Sequence, residues 1–294
     1  MILSADLIRG LHRYELKILR SIEYLMEAHD WVPFEYIVRN TRLSPGEAEY
    51  RLGRLVSYGM VKGTKVPYQG YALLFGGYDS LALSSLAHTK VISALGDIRG
   101  EGKEALVFEA IAVGPVVVKL HHVGQRSFQS IRKNRGFMPK YEHCPWVFAS
   151  HYSAEQEYLA LKAVSAHIQT PVPIAMNRNA IVMSFIPGDT LNRVVLDDPH
   201  DTWEWLLGEV KAAYELGYVH GDLSEYNIIG GPDGCFIIDW PQWVPPTHEN
   251  ADEILLHDLK TAIAYFNRRY RLEIDPHEAF VTVTGRDVPL DISA

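Results

Sequence analysis

The chain has 294 residues, of which 47% are hydrophobic and 22% are charged, so it can bury a sizeable core in one or two domains. Its formal net charge of −8 excludes nucleic-acid binding by the whole surface, so any such contact needs a local basic patch. The two cysteines, Cys144 and Cys235, exclude a disulfide framework and favour a cytoplasmic location, and no apolar run is long enough to predict a membrane helix.

The first part of the chain predicts three helices. Apolar residues at helical spacing indicate one helix from an N-cap at Ser4 to about Leu25, and "PFEYIVRN" fits a short second helix. The third begins at Ser44, because Ser44, Pro45 and Glu47 have the spacing of an N-cap, a first helical position and a capping box.

A hairpin is predicted to follow these helices. "MVKGTKVPYQGYALL" offers two short strands around a Gly/Pro turn, and three helices followed by a hairpin form a winged helix-turn-helix. From Arg39 to Lys65 there are six basic and two acidic residues, with Arg51 and Arg54 on the third helix and Lys62 in the wing. These charges fit either a nucleic-acid contact or a solvated face of a module that binds a protein partner.

A predicted helix from about Ser80 to Thr89 leads to a strand-rich segment, "LGDIRGEGKEALVFEAIAVGPVVVKL". Its glycines could let backbone N–H groups approach a phosphate, although a plain hairpin would look similar; they are Gly96, Gly100 and Gly102. Lys119 ends the β-branched run "VVVK", and a lysine at the end of a buried strand needs an anionic partner. It resembles the third-strand lysine of protein kinases, which holds the α- and β-phosphates.

The segment "SHYSAEQEYLALKAV" predicts a helix capped by Ser153 that carries Glu157, a candidate partner for the lysine, although Glu157 also fits an ordinary exposed helix position. The strand "AIVMSFIPGDTL" follows, and in a kinase the main-chain groups of Ser184 and Ile186 in it would bind adenine. A helix from about Asp201 to Leu216 leads to the next motif.

The stretch "VHGDLSEYNIIGGPDGCFIIDW" places two carboxylates and an amide beside buried strand material. Asp222 and Asn227 have the H-x-D-x4-N spacing of a kinase catalytic loop, and Asp239 follows the apolar run as the kinase magnesium aspartate does. Phosphoryl transfer needs little more than a base, metal ligands and a lysine clamp, because its barrier falls mainly through positioning and charge neutralisation.

The chain resembles the RIO atypical protein kinases, and within them the subfamily with an N-terminal winged helix. The resemblance runs from about residue 5 to about residue 268 and rests on "GEGKEALVF", "KLHHVGQRSF", "PWVFASHYSAEQE" and "IIDWPQWV". The chain departs from the family pattern at Ala105 and Leu106 of the phosphate loop, where serine and aspartate are usual, at Ser184 of the hinge, and at Trp240, where phenylalanine is usual.

The resemblance implies an α+β protein with a winged helix-turn-helix domain followed by a compact bilobal, protein-kinase-like RIO domain. The expected boundaries are a winged helix at 1–78, a linker helix at 79–90, an N-lobe with the hinge at 91–186, and a truncated C-lobe at 187–294.

The implied activity is that of an ATP- and Mg²⁺-dependent serine/threonine kinase or ATPase, with Mn²⁺ as a substitute metal, in maturation of the small ribosomal subunit. The winged helix and the basic loop at 119–140 would grip ribosomal RNA or a pre-ribosomal particle. Asp222 and Asp239 are the implied catalytic residues, and Asn227 and Asp239 the metal ligands. The residues implied to bind the nucleotide are Lys103, Glu104, Lys119, Glu157, Met183, Ser184, Ile186, Ile229 and Ile238.

Two other functions fit part of the sequence. A small-molecule kinase of the aminoglycoside phosphotransferase type also carries H-G-D-x4-N and I-D-W, but it would not explain the winged helix. A non-catalytic ATP-binding scaffold, or a regulator that acts through the winged helix, would fit the departures at Ala105 and Leu106.

Overall fold

The computed structural model describes residues 4–124 and 146–287, so most of the predicted basic loop at 119–140 lies outside the described residues. The chain forms two compact units, Met1–Glu155 with Ile174–Met183, and Gln156–Pro173 with Ser184–Ala294. Helical and sheet segments are both present, and the predicted α+β class is confirmed. Within the described ranges, no helix is both long and apolar enough to span a bilayer.

The first unit begins with the predicted winged helix-turn-helix. Its sheet has the order β1-β3-β2, and Val61 of β2 lies opposite Leu73 of β3. The elements are α1 (Ala5–Arg9), α2 (Arg13–Leu25), β1 (Val32–Pro33), α3 (Phe34–Thr41), α4 (Pro45–Ser57), β2 (Val61–Thr64) and β3 (Gly70–Leu73). The Ser44 hydroxyl caps α4 by accepting a hydrogen bond from the Glu47 N–H, as the sequence predicts.

The prediction of one continuous helix from Ser4 to Leu25 is wrong. The first helix ends at Arg9, and the second starts after His12, which forms a capping box with Glu15. The Glu15 side chain accepts a 2.8 Å hydrogen bond from the His12 N–H. The apolar periodicity conceals this break because the leucines on both sides of it pack into the same core.

The rest of the first unit is a five-stranded sheet and the helix before it. This helix, α5 (Phe75–His88), starts earlier than the predicted Ser80, and its buried residues belong to the cores of both the winged helix and the sheet. The sheet has the order β4-β5-β6-β8-β7. Its strands are β4 (Ala94–Glu101), β5 (Ala105–Ile111), β6 (Pro115–His121), β7 (Pro173–Asn177) and β8 (Ala180–Ser184).

One long helix, α6 (Trp146–Val164), carries residues of both units. It begins seven residues before Ser153, so the prediction that Ser153 is its N-cap is wrong. The Ser153 hydroxyl is buried and lies 3.1 Å from His121 Nδ1 instead. A serine inside a helix can bond a neighbouring element in this way, and sequence patterns do not distinguish it from a cap.

The second unit is mainly helical around a small sheet of order β11-β10-β9. Asp198 caps α7, so this helix starts two residues before the predicted Asp201. The elements are β9 (Asp189–Thr190), α7 (Pro199–Glu215), β10 (Ile228–Gly231), β11 (Gly234–Ile237), α8 (Ala251–Tyr270) and α9 (Pro276–Thr284).

A buried carboxylate joins α2 to α4 in the winged helix. Glu15 is 0% exposed, and its Oε1 lies 3.0 Å from Arg54 Nε and 3.5 Å from Arg51 Nη1. Arg51 also pairs with Glu47 at 2.8 Å. A buried carboxylate is stable only with such partners, so both arginines of α4 are committed to internal ion pairs.

We expect Glu15→Ala to lower the free energy of unfolding by about 2–3 kcal/mol, because it removes the Glu15 half of the capping box and the buried anion that two arginines share. Glu47→Ala, at the less buried pair with Arg51, is expected to cost only about 0.5 kcal/mol. Urea denaturation of both variants measures the difference, and equal losses would contradict the structural role of Glu15.

Candidate active site

The loop after α7 is held in place by one buried carboxylate. Asp258 of α8 is 1% exposed, and it accepts hydrogen bonds from the Gly221 N–H at 2.7 Å and the Leu223 N–H at 2.9 Å. These bonds fix the backbone on both sides of Asp222. Burial raises the pKa of Asp258, an effect that its two backbone donors oppose.

Only glycine fits before the candidate base. Gly221 has φ +82°, and a Cβ there would lie 2.5 Å from the Gln242 carbonyl oxygen. Both the positive φ and the close backbone approach therefore require this residue. Local sterics therefore explain why the H-G-D motif has glycine at this position.

Asp222 and Asn227 contact each other directly. Asn227 Nδ2 donates to the Asp222 carbonyl oxygen at 2.7 Å and to its Oδ2 at 3.3 Å. The amide nitrogen is thereby occupied, which leaves the amide oxygen of Asn227 as the atom suited to ligate a cation. The predicted proximity of these two residues is present in the structure.

The strand that carries Asp239 is joined to the same loop. The Ile238 N–H donates to the Asn227 carbonyl oxygen at 2.9 Å, and His220 Nε2 lies 3.0 Å from the Ile238 carbonyl oxygen. Asp239 itself has φ +69°, a left-handed conformation that aspartate tolerates better than most residues. Asp239 lies two residues after the end of β11 at Ile237.

Two effects dominate the electrostatics of Asp222. Burial of the carboxyl and, next, the negative charge of Asp239 raise the pKa of Asp222, while His220 and the hydrogen bond from Asn227 lower it. Asp239 is therefore close enough to influence the proton affinity of Asp222. A raised pKa suits a group that must accept a proton near neutral pH.

The tryptophan at position 240 has a structural explanation. Trp240 is 1% exposed, and its Nε1 donates to Thr170 Oγ1 at 3.1 Å. The Thr170 hydroxyl in turn donates to the Ile237 carbonyl oxygen at 2.7 Å. The indole nitrogen thus has a buried partner that a phenylalanine would not need.

The other predicted residues are divided between the two units. In the first, Lys119 lies on β6 opposite Val107 of β5 and is 7% exposed, Met183 on β8 is buried, and Lys103 and Glu104 lie exposed in the β4–β5 turn. In the second, Glu157 on α6 is 1% exposed. The interpretation of Glu157 as an ordinary exposed helix residue is therefore wrong.

Within the second unit, Ile229 lies on β10, two residues after Asn227, and Ile238 directly precedes Asp239. The Ser184 N–H donates to the Val172 carbonyl oxygen at 2.9 Å, so this N–H is already engaged within the chain. Ile186 follows in the connection between β8 and β9.

The donor set fits a hard cation that a nucleotide helps to bind. No cluster of three or more His, Cys, Asp or Glu side chains suited to a metal occurs in the described parts of the chain. Asn227 and Asp239 supply two oxygen donors, and Mg²⁺ usually combines one or two such protein ligands with phosphates and water. The residues therefore fit Mg²⁺ bound together with a phosphate-bearing ligand.

Asp258 is the functional residue that the sequence analysis missed. Its signal is an acid within the apolar face of a helix, since Leu255 and Leu259 beside it are both buried. A carboxylate in such a stripe must have partners. The sequence does not show that these partners are the N–H groups of the Asp222 loop, because Leu223 lies 35 residues before Asp258 in the chain.

We expect Asp239→Asn to lower the pKa of Asp222, because the substitution removes a neighbouring negative charge and makes loss of the Asp222 proton easier. Carboxyl-detected NMR titration of the nucleotide-free protein should show the Asp222 midpoint at lower pH than in the wild type. Asp233→Asn, in the exposed β10–β11 turn, is the control and should not move it. An unchanged midpoint in Asp239→Asn would contradict the coupling.

Comparisons with known proteins identify the family of this chain. The family model described as "RIO domain" matches residues 105–279, and "Rio2, N-terminal" matches residues 8–89. The RIO-type serine/threonine-protein kinase Rio2 of Methanocaldococcus jannaschii is 36% identical over 88% of this chain and 100% of its own length. The serine/threonine-protein kinase rio2 of Schizosaccharomyces pombe is 28% identical over 99% of this chain and 86% of its own length.

A solved structure is similar over most of the fold. The crystal structure of the Rio2 kinase–ADP/Mg²⁺–phosphoaspartate complex from Chaetomium thermophilum matches with a TM-score of 0.80 and 26% identity, covering 96% of this chain and 89% of that one. Family models match both the winged helix and the segment with Asp222, Asn227 and Asp239. The chain therefore belongs to the RIO kinase family and, within it, to the Rio2 subfamily.

Proposed function

We propose that this chain is an ATP- and Mg²⁺-dependent phosphotransferase of the atypical serine/threonine kinase type, with ATPase activity. The observation that carries the proposal is the joined pair of loops with Asp222, Asn227 and Asp239. The similar proteins are named as serine/threonine-protein kinases, and the similar crystal structure is named as an ADP/Mg²⁺ complex. The buried tether to Asp258 would hold the loop in one geometry for this chemistry.

Each proposed site residue has a stated task. Lys119 is proposed to hold the nucleotide phosphates, and Glu157 to orient Lys119. Asn227 and Asp239 are proposed to ligate Mg²⁺, or Mn²⁺ in its place, and the metal would neutralise charge on the phosphates. The proposed nucleotide contacts also include Lys103, Glu104, Met183, Ser184, Ile186, Ile229 and Ile238.

The carboxylate of Asp239 is also proposed to accept the phosphoryl group. One of its oxygens forms a bond to the γ-phosphorus while the bond from that phosphorus to the β–γ bridging oxygen breaks, and ADP leaves. Water, oriented by Asp222 and giving a proton to it, then attacks the phosphorus. The bond between that phosphorus and the Asp239 oxygen breaks, inorganic phosphate leaves, and Asp239 is again a carboxylate. The raised pKa of Asp222 favours proton acceptance in this second step.

The proposed setting is maturation of the small ribosomal subunit in the cytoplasm, with ribosomal RNA contacted by the winged helix and by the basic loop at 119–140. Two observations narrow down which side chains of the winged helix suit that role. Arg51 and Arg54 are engaged by Glu15, whereas Lys62 and Lys65 of the wing are exposed. Among the basic residues of α4 and the wing, we therefore assign the RNA contact to the wing lysines. The domain boundaries given above are part of the same proposal.

A trapped acyl phosphate tests the proposed activity. After incubation with γ-labelled ATP and Mg²⁺, we expect enzyme-bound label that hydroxylamine removes, because hydroxylamine cleaves acyl phosphates and not phosphoserine. Asp239→Asn should abolish the label. Asp222→Asn should retain it and slow its loss, because only the hydrolysis step needs Asp222.

Absence of both label and ATP turnover in the folded wild type would contradict the proposed activity and favour a non-catalytic scaffold. Hydroxylamine-resistant label on a serine would instead indicate an autophosphorylating kinase without the aspartyl intermediate.

Salt dependence tests the RNA contact. We expect Lys62→Gln with Lys65→Gln to reduce the slope of log affinity against log salt by about 1–2, because each lysine that contacts a phosphate releases roughly one counterion. The probe is a fragment of small-subunit ribosomal RNA. The exposed lysines of α6 and α7 provide the control, Lys162→Gln with Lys211→Gln, which should leave the slope unchanged. An unaltered slope in the wing variant would favour a protein partner.

A further inference from the structure

The turn between β7 and β8 makes polar contacts with four other elements of the first unit. The contacts come from Asn177, the last residue of β7, and from the turn residues Arg178 and Asn179. A turn that connects two strands usually lies on the surface, where its polar side chains contact water. In this turn the side chains of all three residues have protein partners, and Asn179 is 0% exposed.

One branch of these contacts reaches the winged helix. Arg178 donates to Glu23 of α2 through two parallel hydrogen bonds, from Nε to Oε1 at 2.6 Å and from Nη2 to Oε2 at 2.8 Å. Both side chains are only 20% exposed. A bidentate, partly buried arginine–carboxylate pair is among the stronger and more directional side-chain contacts, so it fixes the turn against α2.

A second branch reaches α6, the helix with Glu157. His151 of α6 donates from Nδ1 to the carbonyl oxygen of Arg178 at 2.8 Å. The carbonyl oxygen can only accept, so Nδ1 carries the proton. Arg178 has the left-handed backbone angle φ +55°. His151 therefore bonds the carbonyl oxygen of the residue at which the turn reverses the chain.

A third branch reaches β6, the strand with Lys119. Asn179 Nδ2 donates to the His121 carbonyl oxygen at 3.0 Å and to Asp79 Oδ1 at 2.7 Å. The other Asp79 oxygen lies 2.9 Å from His122 Nε2. The end of β6, just after Lys119, is thus bonded both to the turn and to α5.

We propose that the β7–β8 turn positions the nucleotide site by holding α6, with Glu157, and β6, with Lys119, against α2 of the winged helix. Glu23, His151 and Arg178 are positioning residues that act through Glu157 and touch no ligand themselves. The winged helix is then a part of the nucleotide-binding unit as well as a docking module. This inference rests on the proposed function, because it assigns the nucleotide to Lys119 and Glu157.

The experiment compares His151→Ala with His151→Asn in the full chain, using ADP with Mg²⁺ as the calorimetric probe. Asparagine can place an N–H donor near the position of Nδ1, whereas alanine cannot. We expect His151→Ala to weaken ADP binding about tenfold and His151→Asn to restore most of the affinity. Glu23→Ala is expected to weaken binding in the same direction.

A double-mutant cycle separates positioning from general destabilisation. In a Glu157→Gln background, His151→Ala should cause little further loss, because the histidine acts through Glu157. Thr41→Ala is the control: it removes a buried hydroxyl of α3 that bonds the Ile37 carbonyl oxygen and leaves the turn intact. It should lower thermal stability without changing ADP affinity.

Hydrogen exchange in the nucleotide-free protein gives a readout that does not depend on the proposed function. The α6 amides should exchange faster in His151→Ala than in the wild type or in Thr41→Ala. The inference would be overturned if His151→Ala left α6 exchange or ADP affinity unchanged. It would also be overturned if His151→Ala weakened ADP binding equally in the wild-type and Glu157→Gln backgrounds. A wild type that binds no ADP while His151→Ala still loosens α6 would overturn the proposed function and leave only the mechanical role of the turn.

Discussion

A single buried carboxylate, that of Asp258, fixes the loop on which the candidate active site depends. Its two oxygens accept from the N–H groups of Gly221 and Leu223, so the backbone on both sides of Asp222 is held from within the core. A buried carboxylate without these donors would be costly, and the donors without the carboxylate would lack partners. The loop and α8 therefore stabilise each other.

The charge of the winged helix shows why a basic segment does not by itself identify a nucleic-acid surface. The sequence shows six basic residues from Arg39 to Lys65, but Glu15, far earlier in the chain, pairs with two of them. Those two arginines stabilise the packing of α2 against α4. The positive charge that remains for a partner lies at Arg39 and Arg42, at the end of α3, and at Lys62 and Lys65 in the wing.

The elements with strong local signals could be predicted from the sequence. The Ser44 cap, the wing hairpin and the strands of the catalytic segment follow from capping residues, turn residues and apolar runs, and each is present. The errors fall where a tertiary contact overrides a local pattern. Ser153 is predicted to be a cap because serine before an apolar helix usually is, whereas it bonds His121 from inside α6.

The sequence by itself determined the family motif and so predicted the chemistry, because few other functions use the spacing of Asp222, Asn227 and Asp239 around two short strands. Only the tertiary structure decided what holds and tunes them. The tether to Asp258 and the contacts of the turn with Glu23 and His151 join segments far apart in the chain. Such partners are selected by packing in three dimensions, which no local spacing encodes.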